Sequence, residues 1–171
     1  MTKLLASTGT RVGTYAVGAG AAGIAFDGAN IWVANLYDNT VTKLSASTGA
    51  TVGTYPVQYA PSGVAFDGTN IWVANGLGSD GSGYPGTVTK LLASTGATLG
   101  NYTVGPEPNA LAFDGANIWV ANQGDSTVTK LLSSTRSVVG TYPVGPRVGP
   151  IPLAITFDGA NIWVSLVLNS I

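Results

Sequence analysis

The chain has no histidine and no cysteine among its 171 residues, and only 9% of it is charged. Without imidazole there is no ordinary general base near neutral pH, no histidine metal ligand and no histidine pH switch. Without thiols there are no disulfide staples and no thiolate metal site, and the redox compartment stays open. The formal net charge of −1 provides no basic field for nucleic acid or an anionic membrane. No run of 18 apolar residues is present, so no transmembrane helix is expected. The opening MTKLLASTGT lacks the apolar stretch of a secretory signal. A cytoplasmic place is expected if the chain is complete, and an extracellular one is open if it is a fragment.

What the sequence has is repetition. FDGANIWVAN begins at Phe26, with near-copies from Phe66, Phe113 and Phe157, and the tryptophans Trp32, Trp72, Trp119 and Trp163 are 40, 47 and 44 residues apart. Around each Trp run an apolar segment (GIAF, GVAF, ALAF, AITF), then D-G-x-N, then I-W-V. After the first three copies come A-N, a polar loop, V-T-K-L, an S-T-G or S-T-R turn, and V/L-G-T/N-Y-x-V. Each unit thus holds four β-type segments and no helical stretch. Asp-Gly between two such segments is a hairpin signal, because glycine accepts positive φ without steric cost. IWV, apolar on both sides of its pleat, predicts a strand buried on both faces. VTKL alternates, which sends Lys3, Lys43, Lys90 and Lys130 toward solvent, where they would discourage edge pairing. Four-stranded antiparallel sheets of 40–47 residues, repeated along one domain spanning 1–171, are the pattern of an all-β propeller. A β-sandwich would account for the strands but not for the period.

The motifs V-T-K-L, S-T-G, Y-P-V-G-x-x-P, A-F-D-G-x-N and I-W-V-A-N, in cyclic order, resemble the YVTN-type propeller repeats, bacterial-like relatives of the streptogramin B lyase propellers. The resemblance covers the whole chain. It implies strand A at GVAF, B at NIWVAN, C at TVTKL and D at TVGTYPV. The lyase relatives also imply histidines and a glutamate around a metal at the ring's centre. This chain departs from that pattern: it has no His, and its single glutamate, Glu107, sits between prolines.

The two ends read as complementary parts of one blade. Residues 1–17 carry a C and a D strand, and 154–171 carry an A and a B strand. Aligning NIWVSLVLNSI with NIWVANLYDNT sets Ile171 on Thr40 and Met1 on Val41. A shared "velcro" blade follows, either within a closed four-bladed monomer or between two chains in an eight-bladed two-fold dimer. The apolar SLVLNSI favours the homodimer, which hides it at a junction.

Turns A–B and C–D hardly change between copies, whereas loops B–C (NLYDNT, NGLGSDGSGYPGT, NQGDST, LVLNSI) and D–A (VGAGAAG, VQYAPSG, VGPEPN, VGPRVGPIP) differ in every copy. That divergence marks the B–C and D–A face as a binding surface for a protein, peptide or glycan, although loops that merely tolerate change would vary too. Its candidate ligand-binding residues are Tyr37, Asp38, Tyr59, Asp80, Tyr84, Glu107, Asn109, Gln123, Asp125 and Arg147. Asp27, Asp67, Asp114 and Asp158 read as turn formers, and the four tryptophans as packing between blades, because recurrence in every unit suits architecture. No catalytic residue, metal ligand or cofactor motif is identified. GSDGSG at 78–83 lacks the spacing of a calcium loop. The reading is therefore a non-catalytic binding or scaffold module. A lyase or hydrolase working through loop carboxylates such as Asp38 and Asp80, or a fragment of a larger propeller protein without independent activity, are the alternatives.

Overall fold

The computed structural model describes residues 1–76, 85–145 and 151–167. Among them every regular element is a strand, sixteen in all. An N-terminal pair, β1 (Thr2–Leu4) and β2 (Arg11–Thr14), precedes three complete sheets. The first sheet holds β3 (Ala21–Phe26), β4 (Asn30–Asn35), β5 (Thr40–Ser45) and β6 (Thr51–Pro56). The second holds β7 (Pro61–Phe66), β8 (Asn70–Asn75), β9 (Thr87–Leu92) and β10 (Thr98–Thr103). The third holds β11 (Pro108–Phe113), β12 (Asn117–Asn122), β13 (Thr127–Leu132) and β14 (Val138–Pro143). A last pair, β15 (Ile151–Phe157) and β16 (Ile162–Val167), stands alone. Each sheet is an antiparallel meander in chain order, as short hairpin connections dictate.

Registers repeat from sheet to sheet. Trp32 faces Lys43, Trp72 faces Lys90 and Trp119 faces Lys130 across the B–C ladder. The incomplete pairs keep the same registers: Lys3 faces Gly13 as Lys43 faces Gly53, and Thr156 faces Trp163 as Ala112 faces Trp119. Each A strand carries a bulge near its start, which bends it where it meets its neighbour.

The core lies between sheets. Trp32, Val41, Ile71, Val73 and Leu91 form one buried cluster, flanked by Tyr55, Val64 and Phe66. Trp72, Val88, Ile118, Val120 and Leu131 form the next, flanked by Tyr102, Leu111 and Phe113. Each cluster joins the Trp side of one sheet to the A, B and C strands of the following one. IWV of β8 is therefore buried on both faces, whereas Ile31 and Trp119, in the sheets on either side of it, are partly exposed, and the three sheets stack in sequence.

Two expectations are corrected. No sheet closes the stack: among the described residues β1–β2 and β15–β16 are two separate two-stranded sheets. Trp163 consequently lacks the packing expected of it and is 62% exposed, against 0% for Trp32 and Trp72. The strand-C lysines do not all solvate an edge either. Lys43 is 5% exposed and donates to Ala93 O of the next sheet at 2.7 Å, while Lys3 reaches Ala46 O and Lys90 reaches Ser133 O. A lysine stem is long enough to cross the inter-sheet gap, and the carbonyl at the far side gives its ammonium a partner.

Candidate functional site

Within each complete blade, the B–C turn and the D–A segment that enters the blade are tied by backbone hydrogen bonds. Leu36 N–H donates to Gly20 O, Gly76 N–H to Ala60 O and Gln123 N–H to Glu107 O, at 2.9–3.1 Å. Gly20, Ala60 and Glu107 occupy one equivalent position, and all three are left-handed, with φ of 70°, 51° and 50°. That conformation costs a residue with a Cβ about 1–2 kcal/mol. It persists at Ala60 and Glu107 because it aims the carbonyl at the B–C turn. The B–C turns of the first and third sheets likewise share a left-handed residue, Asn39 at 56° and Ser126 at 56°. The left-handed D–A residue and its hydrogen bond are thus repeated in all three complete sheets, and the B–C turn in the first and third, with different side chains set on them: Ala19, Tyr59 or Pro106, then Gly20, Ala60 or Glu107, against Leu36, Gly76 or Gln123.

On this frame Tyr37 is 76% and Tyr59 57% exposed, and Glu107 is exposed as well. Gln123 lies half-buried beside Glu107. Asp38 and Asp125 are partly engaged by the frame itself. Asp38 Oδ2 accepts the Ala19 amide at 2.8 Å, and Asp125 Oδ1 accepts the Thr127 hydroxyl at 2.6 Å. Asn109 stands apart from the other candidates: it lies in β11, and its amide donates to Leu153 O of β15 at 2.9 Å, a link between neighbouring inner strands. Asp80, Tyr84 and Arg147 lie outside the described residues. Among the described residues no group of three or more His, Cys, Asp or Glu gathers to hold a metal ion.

The opposite face is built for constancy. Asp67 Oδ1 accepts the amides of Thr69 and Asn70, and Oδ2 accepts Trp72 Nε1–H at 2.7 Å; Asp27, Asp114 and Asp158 repeat the pattern with Trp32, Trp119 and Trp163. The sequence signals the turn but not the indole bond, since nothing in D-G-x-N-x-W spacing announces that the ring folds back five residues. Burial works to raise the Asp114 carboxyl, but the Trp119 indole, the Ala116 and Asn117 amides and the Asn117 side chain outweigh it and hold it at about 2. Asp27 and Asp67 are lowered by the same balance. For Asp158 the Trp163 indole is the leading cause of a lowered value.

The same tryptophans face a cation. Lys43 Nζ stands 5.0 Å from the Trp32 ring centroid, Lys90 4.6 Å from Trp72 and Lys130 4.8 Å from Trp119. Burial pushes the Lys90 ammonium below the usual lysine range, with the Asp67 carboxylate opposing. Tyr55, Tyr102 and Tyr142 lie against the same indoles at 5.5–5.9 Å. Lysine, indole, carboxylate and tyrosine thus form one repeated structural unit, which leaves the variable face as the candidate site.

No protein-family model matches the sequence, and no curated protein matches it. Solved structures do. The chain is similar to the hydrazine synthase of Kuenenia stuttgartiensis, with 19% identity and a TM-score of 0.69 over 91% of this chain and 47% of that one. It is also similar to a functionally unknown protein from Desulfotomaculum acetoxidans, with 15% identity and a TM-score of 0.76 over 95% of this chain and 54% of that one. The chain spans about half the length of both. With the stack of four-stranded antiparallel sheets, these likenesses identify a β-propeller-like repeat fold.

Proposed function

We propose that the chain is a propeller-forming binding module whose B–C and D–A loop face engages a protein, peptide or glycan without catalysing a reaction. The observation that carries this reading is the fixed loop frame with a different side chain at each equivalent position. Loops that only tolerate change would be free to vary in backbone, yet here the left-handed residue and its hydrogen bond are kept while Gly20, Ala60 and Glu107 alternate in chemistry. Exposed Tyr37 and Tyr59 add contact area and a hydroxyl at low entropic cost, as aromatic loop residues do in other binding surfaces. The finer architecture in this reading is a closed ring of YVTN-type blades, with the two half-sheets meeting in one blade.

The test is binding of the labelled protein to glycan and peptide arrays, compared with Tyr37→Ala, Tyr59→Ala and Glu107→Gln. Ser94→Ala, on the constant face, serves as the control. The loop variants are expected to lose array signal at least tenfold while the control keeps it. Equal signal from all four, or loss only in the control, rejects the face assignment.

A further inference from the structure

A cavity of about 230 Å³ lies between the β1–β2 hairpin and the first sheet, lined by Lys3, Tyr15, Ile24, Ile31, Leu44 and Ala46 among others. Each of these has an equivalent one blade further on: Lys43, Tyr55, Val64, Ile71, Leu91 and Ala93. At that next junction the equivalents surround Trp32. Tyr55, Val64, Ile71, Leu91 and Ala93 belong to its cluster, and Lys43 stands over its ring. The cavity is therefore a tryptophan slot with its walls in place and its indole missing. One tryptophan of the chain is correspondingly unpacked: Trp163, 62% exposed, whose half-sheet lacks the C and D strands that β1 and β2 represent.

The remaining surfaces at the two ends of the stack match in the same way. Ile24 and Phe26, at the slot, are more than half exposed, whereas Val64 and Phe66 at the next junction pack against the Trp32 cluster. Leu4 is 58% exposed, whereas its equivalent Leu44 is 2% exposed. Lys3, Lys43 and Lys90 each donate to a carbonyl of the following sheet, but among the described residues Lys130 Nζ makes no hydrogen bond. The equivalent acceptor for Lys130 is the carbonyl of Ala6. A Cβ on Gly49 would overlap the Tyr15 ring and one on Gly96 the Tyr55 ring, so these glycines make room for the preceding tyrosine; Gly9 has nothing within 4 Å of that position, and Tyr142 is exposed.

We propose that the missing partner is a second copy of this chain: Trp163 fills the partner's slot, the partner's β1–β2 hairpin completes the β15–β16 sheet, and the exchange is reciprocal. In the shared blade Trp163 lies opposite the partner's Lys3, in the register by which Trp32 lies opposite Lys43. Lys130 donates to the partner's Ala6 carbonyl, and Tyr142 covers the partner's Gly9. Two such junctions close an eight-bladed ring about a two-fold axis, leaving neither sheet edge nor slot open. Within one chain the two half-sheets are separate among the described residues, and neither fills the slot. The stack also superposes over more than nine-tenths of its length on chains about twice as long. This inference rests on the propeller reading above but not on ligand binding, so loss of the loop-face site leaves its readout unchanged.

The chain has no cysteine, so crosslinking is clean. Thr2→Cys and Val164→Cys occupy facing positions in the proposed shared blade, as Thr42 and Val33 do in the first sheet. Each variant is prepared separately, and the two are refolded together and oxidised. The expected product is a disulfide-linked pair of unlike chains, and light scattering of the unmodified protein should give twice the 17.2 kDa chain mass. Trp163→Ala should reduce that mass to one chain at micromolar concentration while keeping the strand signal, since Trp163 is not part of its own chain's core. A one-chain mass for the unmodified protein overturns the proposal. So does a mixture of the two variants that fails to crosslink while a third variant carrying both Thr2→Cys and Val164→Cys closes its own disulfide, which indicates four-bladed closure. An open-ended series of masses overturns the two-fold ring.

Discussion

Replacing Lys43 with Met tests the least expected feature of the core, a lysine buried between two sheets. Met keeps an unbranched stem of similar length and removes the ammonium. Two interactions are lost: the hydrogen bond to Ala93 O at 2.7 Å and the approach to the Trp32 ring at 5.0 Å. A hydrogen bond to a charged group contributes about 1.5–3 kcal/mol, and a partly desolvated cation over an indole about 1–2 kcal/mol. Against these stands the release of the ammonium's desolvation, which costs the wild type several kcal/mol in an apolar setting and less beside a carbonyl. The Ala93 carbonyl is left without this donor, so the balance stays unfavourable, and a net loss of about 1–3 kcal/mol is expected. At a urea slope of about 2 kcal/mol per molar, the midpoint falls by roughly 0.5–1.5 M with the slope unchanged. Urea titration followed by circular dichroism and tryptophan fluorescence measures it. A midpoint equal to or above that of the wild type would refute the reasoning, showing that the lysine is a burden on the core rather than a bolt between blades.

Gly68 has φ +93°, with open space where a Cβ would go, so Gly68→Val tests backbone strain alone; a loss of about 1–3 kcal/mol by chemical denaturation is expected, and unchanged stability would mean that the turn relaxes. The repeated aspartates predict an acid transition. Their folded pKa values lie below the ordinary 3.8, so their contribution is complete above that value and is lost as pH falls through the folded one, about 2 for Asp114. The melting temperature should be level above about pH 5 and fall between about pH 4 and 2. A level profile down to about pH 2 would show that the indole–carboxylate bonds do not support the fold.

The strand content and the four-stranded antiparallel unit were legible in the sequence because their causes are local. D-G-x-N needs glycine at positive φ, and IWV needs apolar neighbours on both sides, whichever sheet it enters. The positive φ of Gly68 is readable from a few adjacent residues, whereas the two-sided burial that IWV implies is met in β8 and not in β16. The lysines show where such reading stops. VTKL alternates like a strand with a wet face, and only the position of the next sheet, fifty residues along the chain, turns Lys43 inward to Ala93 O. The candidate site divides the same way. Variation among the loops was visible in the sequence, but the shared frame beneath it was not, since the left-handed turn is held by a carbonyl on one loop and an amide on another. Asn109 looked like one more loop residue until the packing of β11 against β15 drew its amide to Leu153. The repeat by itself determined what each sheet is, because hairpin turns and pleats are set by neighbours in sequence. The tertiary structure decided what lies between the sheets, where Trp32 is enclosed and Trp163 is not, because burial depends on which surfaces meet across the gap.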